Sequence, residues 1–211
     1  EQTLVTSSKD QGYICYSLSA VPTSCSASSA LAKGTNAGTY TVYYLISGNS
    51  NYNSKSGSVK VSIKQYDISK TATIGIINDQ VYTGNAIKPT PSVTVPIPSG
   101  KTSNPTYNVT YKDNLNSGVA TMIITGTGNY TGTKNVTFKI NKANNPVIVK
   151  ANTLTYNEQE QELITVSNIK GNICYSYNPI SSCSKNESIP KKINAGEYTV
   201  YYFVGGDNNY N

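Results

Sequence analysis

The feature that most constrains this chain is that it repeats itself. Residues Glu1 to Asn53 read EQTLVTSSKDQGYICYSLS…SC…TNAGTYTVYYLISGNSNYN, and residues Glu160 to Asn211 read EQELITVSNIKGNICYSYN…SC…INAGEYTVYYFVGGDNNYN. Glu1-Gln2 aligns with Glu160-Gln161, Gly12 with Gly171, and Ile14-Cys15-Tyr16-Ser17 with Ile173-Cys174-Tyr175-Ser176. After a one-residue deletion Cys25 aligns with Cys183. Asn36-Ala37-Gly38 then meets Asn194-Ala195-Gly196, and Tyr40 to Tyr44 meets Tyr198 to Tyr202. A match this long and this well ordered calls for a repeat-array reading before any other.

Between the two copies lies a stretch without cysteine whose tail, NSGVATMIITGTGNY from Asn116 to Tyr130, is a divergent version of NAGTYTVYYLISGNSNY. The order is therefore A–B–A with a super-period of 158 to 159 residues. The expected domains are 1–64 (type A), 65–141 (type B) and 142–211 (type A). The copies also differ at their ends. The first continues past Asn53 into SKSGSVKVSIK, whereas the second stops at Asn211 but begins with PVIVKANTLTYNEQ, which the first lacks. The expectation is that type B is whole, that the first A lacks its opening strand and that the second lacks its closing one. Another chain, or further sequence of the same protein, would then supply the missing strands, because a truncated sheet leaves an unpaired edge.

Period-two alternation is the dominant local signal, and it predicts strands. Val136, Phe138 and Ile140 alternate with Asn135, Thr137 and Lys139; Ala120, Met122 and Ile124 alternate with Thr121 and Ile123. Val59, Val61 and Ile63 alternate with Lys60, Ser62 and Lys64, and Tyr107, Val109 and Tyr111 with Asn108 and Thr110. Turn residues separate such runs at Asn36-Ala37-Gly38, Gly48-Asn49, Pro98-Ser99-Gly100, Asn116-Ser117-Gly118 and Thr127-Gly128-Asn129. No segment of about ten residues shows capped helical periodicity. Charged residues are only 13% and Tyr numbers 18, a composition suited to pleated strands and not to disorder. Strands at this spacing, in units of this length, predict an all-β chain of tandem small immunoglobulin-like β-sandwiches with little or no helix.

Cys15 and Cys25 have nine residues between them, Cys174 and Cys183 eight. There is no His and no CxxC motif, which excludes His-containing zinc sites and thioredoxin-like redox chemistry. A disulfide within each A copy is the favoured reading, with free buried thiols as the alternative. Disulfides imply an oxidising compartment.

The same inventory excludes most catalysis. Without His or Arg, the usual triads and phosphate clamps cannot be built. Carboxylates such as Asp67, Asp79, Asp113, Glu158, Glu160, Glu162 and Asp207 fall on turns and outer strand positions, with no convergent pair for a glycosidase. No enzyme activity, no cofactor and no metal site is expected; Asp207 lies in a GDNNYN turn whose counterpart carries Asn49, not a calcium loop. An intramolecular isopeptide bond would need types such as Lys70, Asn135 and Asp113, but no diagnostic motif marks one. The sequons at Asn108, Asn129, Asn135 and Asn186 are incidental to an Asn- and Thr-rich composition. The tyrosines suit a sandwich core and surface better than a sugar-stacking platform. All 17 basic residues are Lys, scattered singly, which suits a solvated face that discourages edge pairing and not nucleic-acid readout. No run approaches the roughly 18 apolar residues of a membrane span. No secretory leader is read, so any export signal is expected outside this stretch.

At NAGTYTVYY…GNSNYN and NAGEYTVYY…GDNNYN the chain resembles the tandem bacterial Ig-like repeats of surface proteins, including those called MBG domains. The middle stretch, DISKTATI…VYTGNAIKPTPSVTV…YNVTYKDNLNSGVATMIITGTGNYTGTKNVTFKI, is similar to another common surface repeat. Together the two resemblances cover nearly the whole chain. They imply a secreted or cell-surface protein, of Gram-positive gut-type bacteria, in which such repeats act as stalks or adhesive arrays. The paired cysteines depart from that pattern and point toward a specialised extracellular filament. The expected function is thus a non-catalytic stalk or fibre segment, adhesin-like, whose partners are neighbouring repeats or copies of the same protein. The alternative is that the modules themselves bind host glycan or a host surface protein.

Overall fold

The computed structural model describes residues 1–7, 12–96, 102–103 and 105–211. The turn expected at Pro98-Ser99-Gly100 lies outside the described residues. The fold is all-β, 42% strand and 2% helix, in many small sheets, as the period-two alternation requires. Alternation decides burial residue by residue, because successive strand side chains point to opposite faces. Ala120, Met122 and Ile124 are buried within Gly118–Gly126, and so are Phe138 and Ile140 within Thr133–Asn141, where Asn135, Thr137 and Lys139 are exposed. Val59 departs from the pattern and is 44% exposed.

The chain forms two compact units. The first comprises Glu1–Gly75, Ser92–Val109 and Ile124–Lys134; the second comprises Ile76–Pro91, Thr110–Ile123 and Asn135–Asn211. Residues 65–141 contribute to both.

In the first unit a long antiparallel hairpin pairs Gly38–Ile46 with Lys55–Ile63 over nine residues, and Ile14–Ser17 flanks Gly38–Ile46 on its other side. Val42, at the middle of the central strand, is fully buried. Gln2–Thr3 pairs with Lys33–Gly34. Further along, Tyr66–Asp67 runs parallel to Tyr130–Thr131 and leads into the helical turn Ile68–Thr71. Asp67 caps that turn, its carboxylate accepting the Ser69 N–H at 2.8 Å, the role Asp favours at a helix start. This bond, with the Ser69 hydroxyl and the Lys70 charge adding to it, holds the Asp67 carboxyl below its usual range against a small opposing effect of desolvation. Gly132, at φ 86°, packs so closely on this cap that a Cβ would collide with Asp67 Oδ1. Ile68, Ala72, Val93 and Val95 form the core beside the sheet Thr73–Ile74, Val93–Pro96 and Thr102–Ser103.

The second unit repeats the cysteine-bearing arrangement. Ile173–Ser176 pairs with Tyr201–Val204 so that Cys174 faces Phe203 and Tyr175 faces Tyr202. In the first unit Cys15 faces Leu45 and Tyr16 faces Tyr44 in the same register. Gln161–Glu162 pairs with Lys191–Lys192, and Ile148–Ala151 with Ile164–Ser167. Gln80–Val81 pairs in parallel with Ile140 and Asn141.

Cys15 is bonded to Cys25 and Cys174 to Cys183, with Cα separations of 5.7 and 5.4 Å, and no described cysteine is free. Each bridge closes a loop back over the outer edge of the strand that carries its first cysteine. That edge would otherwise leave backbone N–H groups unmet. The loop meets them with side chains: Ile14 and Tyr16 donate to Ser28 Oγ and Ser29 Oγ at 3.2 and 2.9 Å. Their counterparts Ile173 and Tyr175 donate to Asn186 Oδ1 and Glu187 Oε2 at 2.9 and 3.0 Å. The residues change between copies, but the donors satisfied do not. One sequon asparagine, Asn186, thus has a structural task.

Candidate functional site

The acidic candidates cap turns and form local pairs. Asp207 Oδ1 accepts the N–H groups of Asn209 and Tyr210 at 2.7 and 2.9 Å, just as Asn49 Oδ1 accepts those of Asn51 and Tyr52 at 2.8 and 3.0 Å. Both residues make the same side-chain-capped turn, for which either an amide or a carboxylate oxygen serves. Asp113 pairs with its neighbour Lys112 at 3.9 Å, and Glu162 with Lys191 at 3.4 Å. Asp79 accepts from Asn141 at 3.3 Å. Among the described residues no three His, Cys, Asp or Glu side chains gather where they could hold a metal. Lys70 lies on the helical turn of the first unit, Asp113 in a loop of the second and Asn135 on a strand of the second, and all three are exposed.

What the structure does assemble is a pair of matching joints built from asparagine. In the first unit, Asn129 Oδ1 accepts the backbone N–H of Ala37 at 2.7 Å while Asn129 Nδ2 donates to Asn36 Oδ1 at 3.1 Å. In the second unit, Asn209 Oδ1 accepts the backbone N–H of Ser117 at 2.9 Å while Asn209 Nδ2 donates to Asn116 Oδ1 at 3.1 Å. Asn116 lies 80 residues after Asn36, and Asn209 lies 80 after Asn129. The orientation of each amide follows from its partners. A backbone N–H can only donate, so Oδ1 must face it, and the NH₂ is left to donate to the second asparagine. An Ala has neither group, and a Gln is one methylene too long for the same two contacts.

The rest of each joint recurs as well. Tyr66 donates its backbone N–H to Asn129 O, and Ala143 to Asn209 O, both at 2.9 Å. Tyr66 and Ala143 pair in parallel with Tyr130 and Tyr210. The preceding side chain reaches the same turn: Gln65 Nε2 donates to Gly128 O at 2.8 Å, and Lys142 Nζ to Asp207 O at 2.5 Å. Tyr130 meets Tyr66 edge-on at 6.4 Å, and Tyr210 meets Tyr82 edge-on at 5.3 Å, an arrangement favoured by the ring quadrupoles. The second joint adds one bond, from Ser117 Oγ to Asn208 O.

Local sequence explains why these loops present an N–H outward. Each loop reads Asn-x-Gly. The glycines stand at φ 151° (Gly38) and φ 139° (Gly118), a conformation L side chains rarely adopt. The loop can therefore turn into the following strand directly after the donating residue. By sequence Asn36, Asn116, Asn129 and Asn209 all lie in turns, with no mark of a partner. The available signal was that all three stretches of the chain carry both an Asn-x-Gly loop and an Asn-Tyr turn.

Each joint positions one loop against one turn. The two hydrogen bonds made by each joint asparagine, Asn129 and Asn209, join neutral amides, so they lack the salt sensitivity of an exposed ion pair. Each bond is worth a net of about 0.5–1.5 kcal/mol, toward the lower end where water competes. No described helix is long and apolar enough to cross a membrane, and two disulfides suit an oxidising compartment. Comparison with protein-family models, with curated proteins and with solved structures finds no match to this chain.

Proposed function

We propose that this chain is a structural segment of a secreted or cell-surface bacterial protein, a stalk or fibre of tandem Ig-like modules of adhesin-like type. The observation that carries this reading is the recurrence of one joint at two places, with the same atoms, the same partners and an 80-residue offset. A catalytic fold has no need to repeat a contact between one loop and one turn. An array has that need, because each module contributes length and nearest-neighbour contacts set the axis. In this reading the modules are 1–64, 65–141 and 142–211. The Asn36 and Asn116 loops grip the Asn129 and Asn209 turns of the next module, and the linker residues Gln65-Tyr66 and Lys142-Ala143 stitch the same turns from the other side.

Neutral hydrogen bonds and disulfides both suit a filament exposed to variable salt and to an oxidising exterior. The experiment is small-angle scattering on the full chain, comparing the unaltered protein with the double variant Asn129→Ala/Asn209→Ala. The expected result is a change in maximum dimension and increased flexibility, with unchanged circular dichroism. Identical scattering curves for the two proteins would count against an array held by these joints.

A further inference from the structure

The joint has two halves, and the chain carries one spare copy of each. The loop Asn194-Ala195-Gly196 is the counterpart of Asn36-Ala37-Gly38. Tyr198 braces it from the strand through a hydroxyl bond to Asn194 O at 2.9 Å, as Tyr40 braces Asn36 O at 2.7 Å. Yet neither the Asn194 side chain nor the Ala195 N–H has a hydrogen-bond partner among the described residues. Ala195 is exposed, whereas Ala37 and Ser117 in the closed joints are half-buried. Gly196 also lies outside the positive-φ region that Gly38 and Gly118 share.

The spare turn is Asn49 to Tyr52. Asn49 Oδ1 already folds it as Asp207 Oδ1 folds the docked turn at Asn209. Its Asn51 side chain has no partner among the described residues. Tyr52 is 58% exposed, whereas Tyr130 and Tyr210 are half-buried in their joints.

A groove of about 340 Å³ opens beside the spare loop, lined by Gln161, Ala195, Tyr156 and Tyr198. The counterparts of two of these residues, Gln2 and Ala37, stand in the closed joint along one cavity wall with Tyr66, Asn129 and Tyr130 of the docked turn and its linker. We infer that copies of this chain associate end to end, the Asn51-Tyr52 turn of one copy closing the Asn194-Ala195 loop of the next through the same two amide bonds. This inference rests on the array reading above and assigns the surface by which such an array is extended in trans.

The test uses the full chain in sedimentation velocity and in ¹⁵N-labelled spectra, raised to about 1 mM, where a contact of this size is populated. The expected result is self-association with shifts concentrated at Asn51, Tyr52, Asn194 and Ala195. Asn51→Ala and Asn194→Ala, both at exposed positions, should each weaken association at least about tenfold. An equimolar mixture of the two variants retains one intact loop and one intact turn, so it should regain association but stop at dimers. A protein that stays monomeric with unmoved Ala195 and Asn51 amides overturns the inference, as does an Asn51→Ala protein that associates like the unaltered one. If the internal variants Asn129→Ala and Asn209→Ala loosen the chain while the unaltered protein stays monomeric, only the end-to-end contact fails. If they change nothing, the array reading fails with it.

Discussion

Replacing Asn129 by Ala removes both contacts of the first joint at once: the 2.7 Å bond from Ala37 N–H and the 3.1 Å bond to Asn36 Oδ1. Two net hydrogen bonds at about 0.5–1.5 kcal/mol each, taken in the lower half because water reaches both, come to about 1–2 kcal/mol. The backbone carbonyl of residue 129 still accepts from Tyr66, and Tyr130 still meets Tyr66. The joint therefore loosens without coming apart. A loss of this size raises the open fraction by about 5- to 30-fold. Amide hydrogen exchange reads it directly, since local opening is what exposes these protons. Ala37 and Tyr66 should lose protection by that factor, while Val42, buried mid-strand in the same unit, should keep its own. Unchanged protection at Ala37 would refute the reasoning, because its N–H would then be held by something other than Asn129.

The chemistry of the replacement matters too. Asn129→Asp should be milder than Asn129→Ala, because a carboxylate still accepts from Ala37 and the Asn36 amide can rotate to donate. Combining Asn129→Asp with Asn36→Asp sets two carboxylates face to face. Like charge raises their pKa in the closed joint, so closure is favoured at low pH and lost as pH rises past the usual carboxylate range near about 4.

Three further outcomes follow from the fold. The bridges Cys15–Cys25 and Cys174–Cys183, with sequence separations of 10 and 9, should each contribute about 2.6–2.7 kcal/mol by the chain-entropy relation; denaturant melts of the paired Cys→Ser variants measure this, and unshifted midpoints would contradict it. Asp67, held below the usual range first by the Ser69 N–H, stabilises the fold above its unfolded pKa of about 3.9. That contribution disappears as pH falls through the lower folded value, and a carbon-detected titration should place Asp67 below the usual aspartate range. Ile124→Ala, at a fully buried site, should cost about 2–5 kcal/mol in the same melts, and a cost under about 1 kcal/mol would mean the site collapses around the gap.

Much of the fold is legible in the chain because strand and turn signals are local. Met122 and Phe138 are buried because of their place in an alternating run, and alternation is visible in any window of a few residues. The cysteine pairs are legible for the same reason, each partner being the nearest one available. Asp67 is the exception at short range. It begins a helical turn of four residues, too short for periodicity to reveal, although its capping type was present in the sequence.

The joints belong to the other category. Asn36 and Asn129 are 93 residues apart, as are Asn116 and Asn209. Each asparagine sits in a turn that its sequence explains without any partner, so nothing local marks it as half of a contact. The sequence by itself determined that strands, turns and bridges recur. Only the tertiary structure decided that one loop meets one turn, because the chain must first fold before two polar side chains so far apart in sequence come within hydrogen-bonding distance.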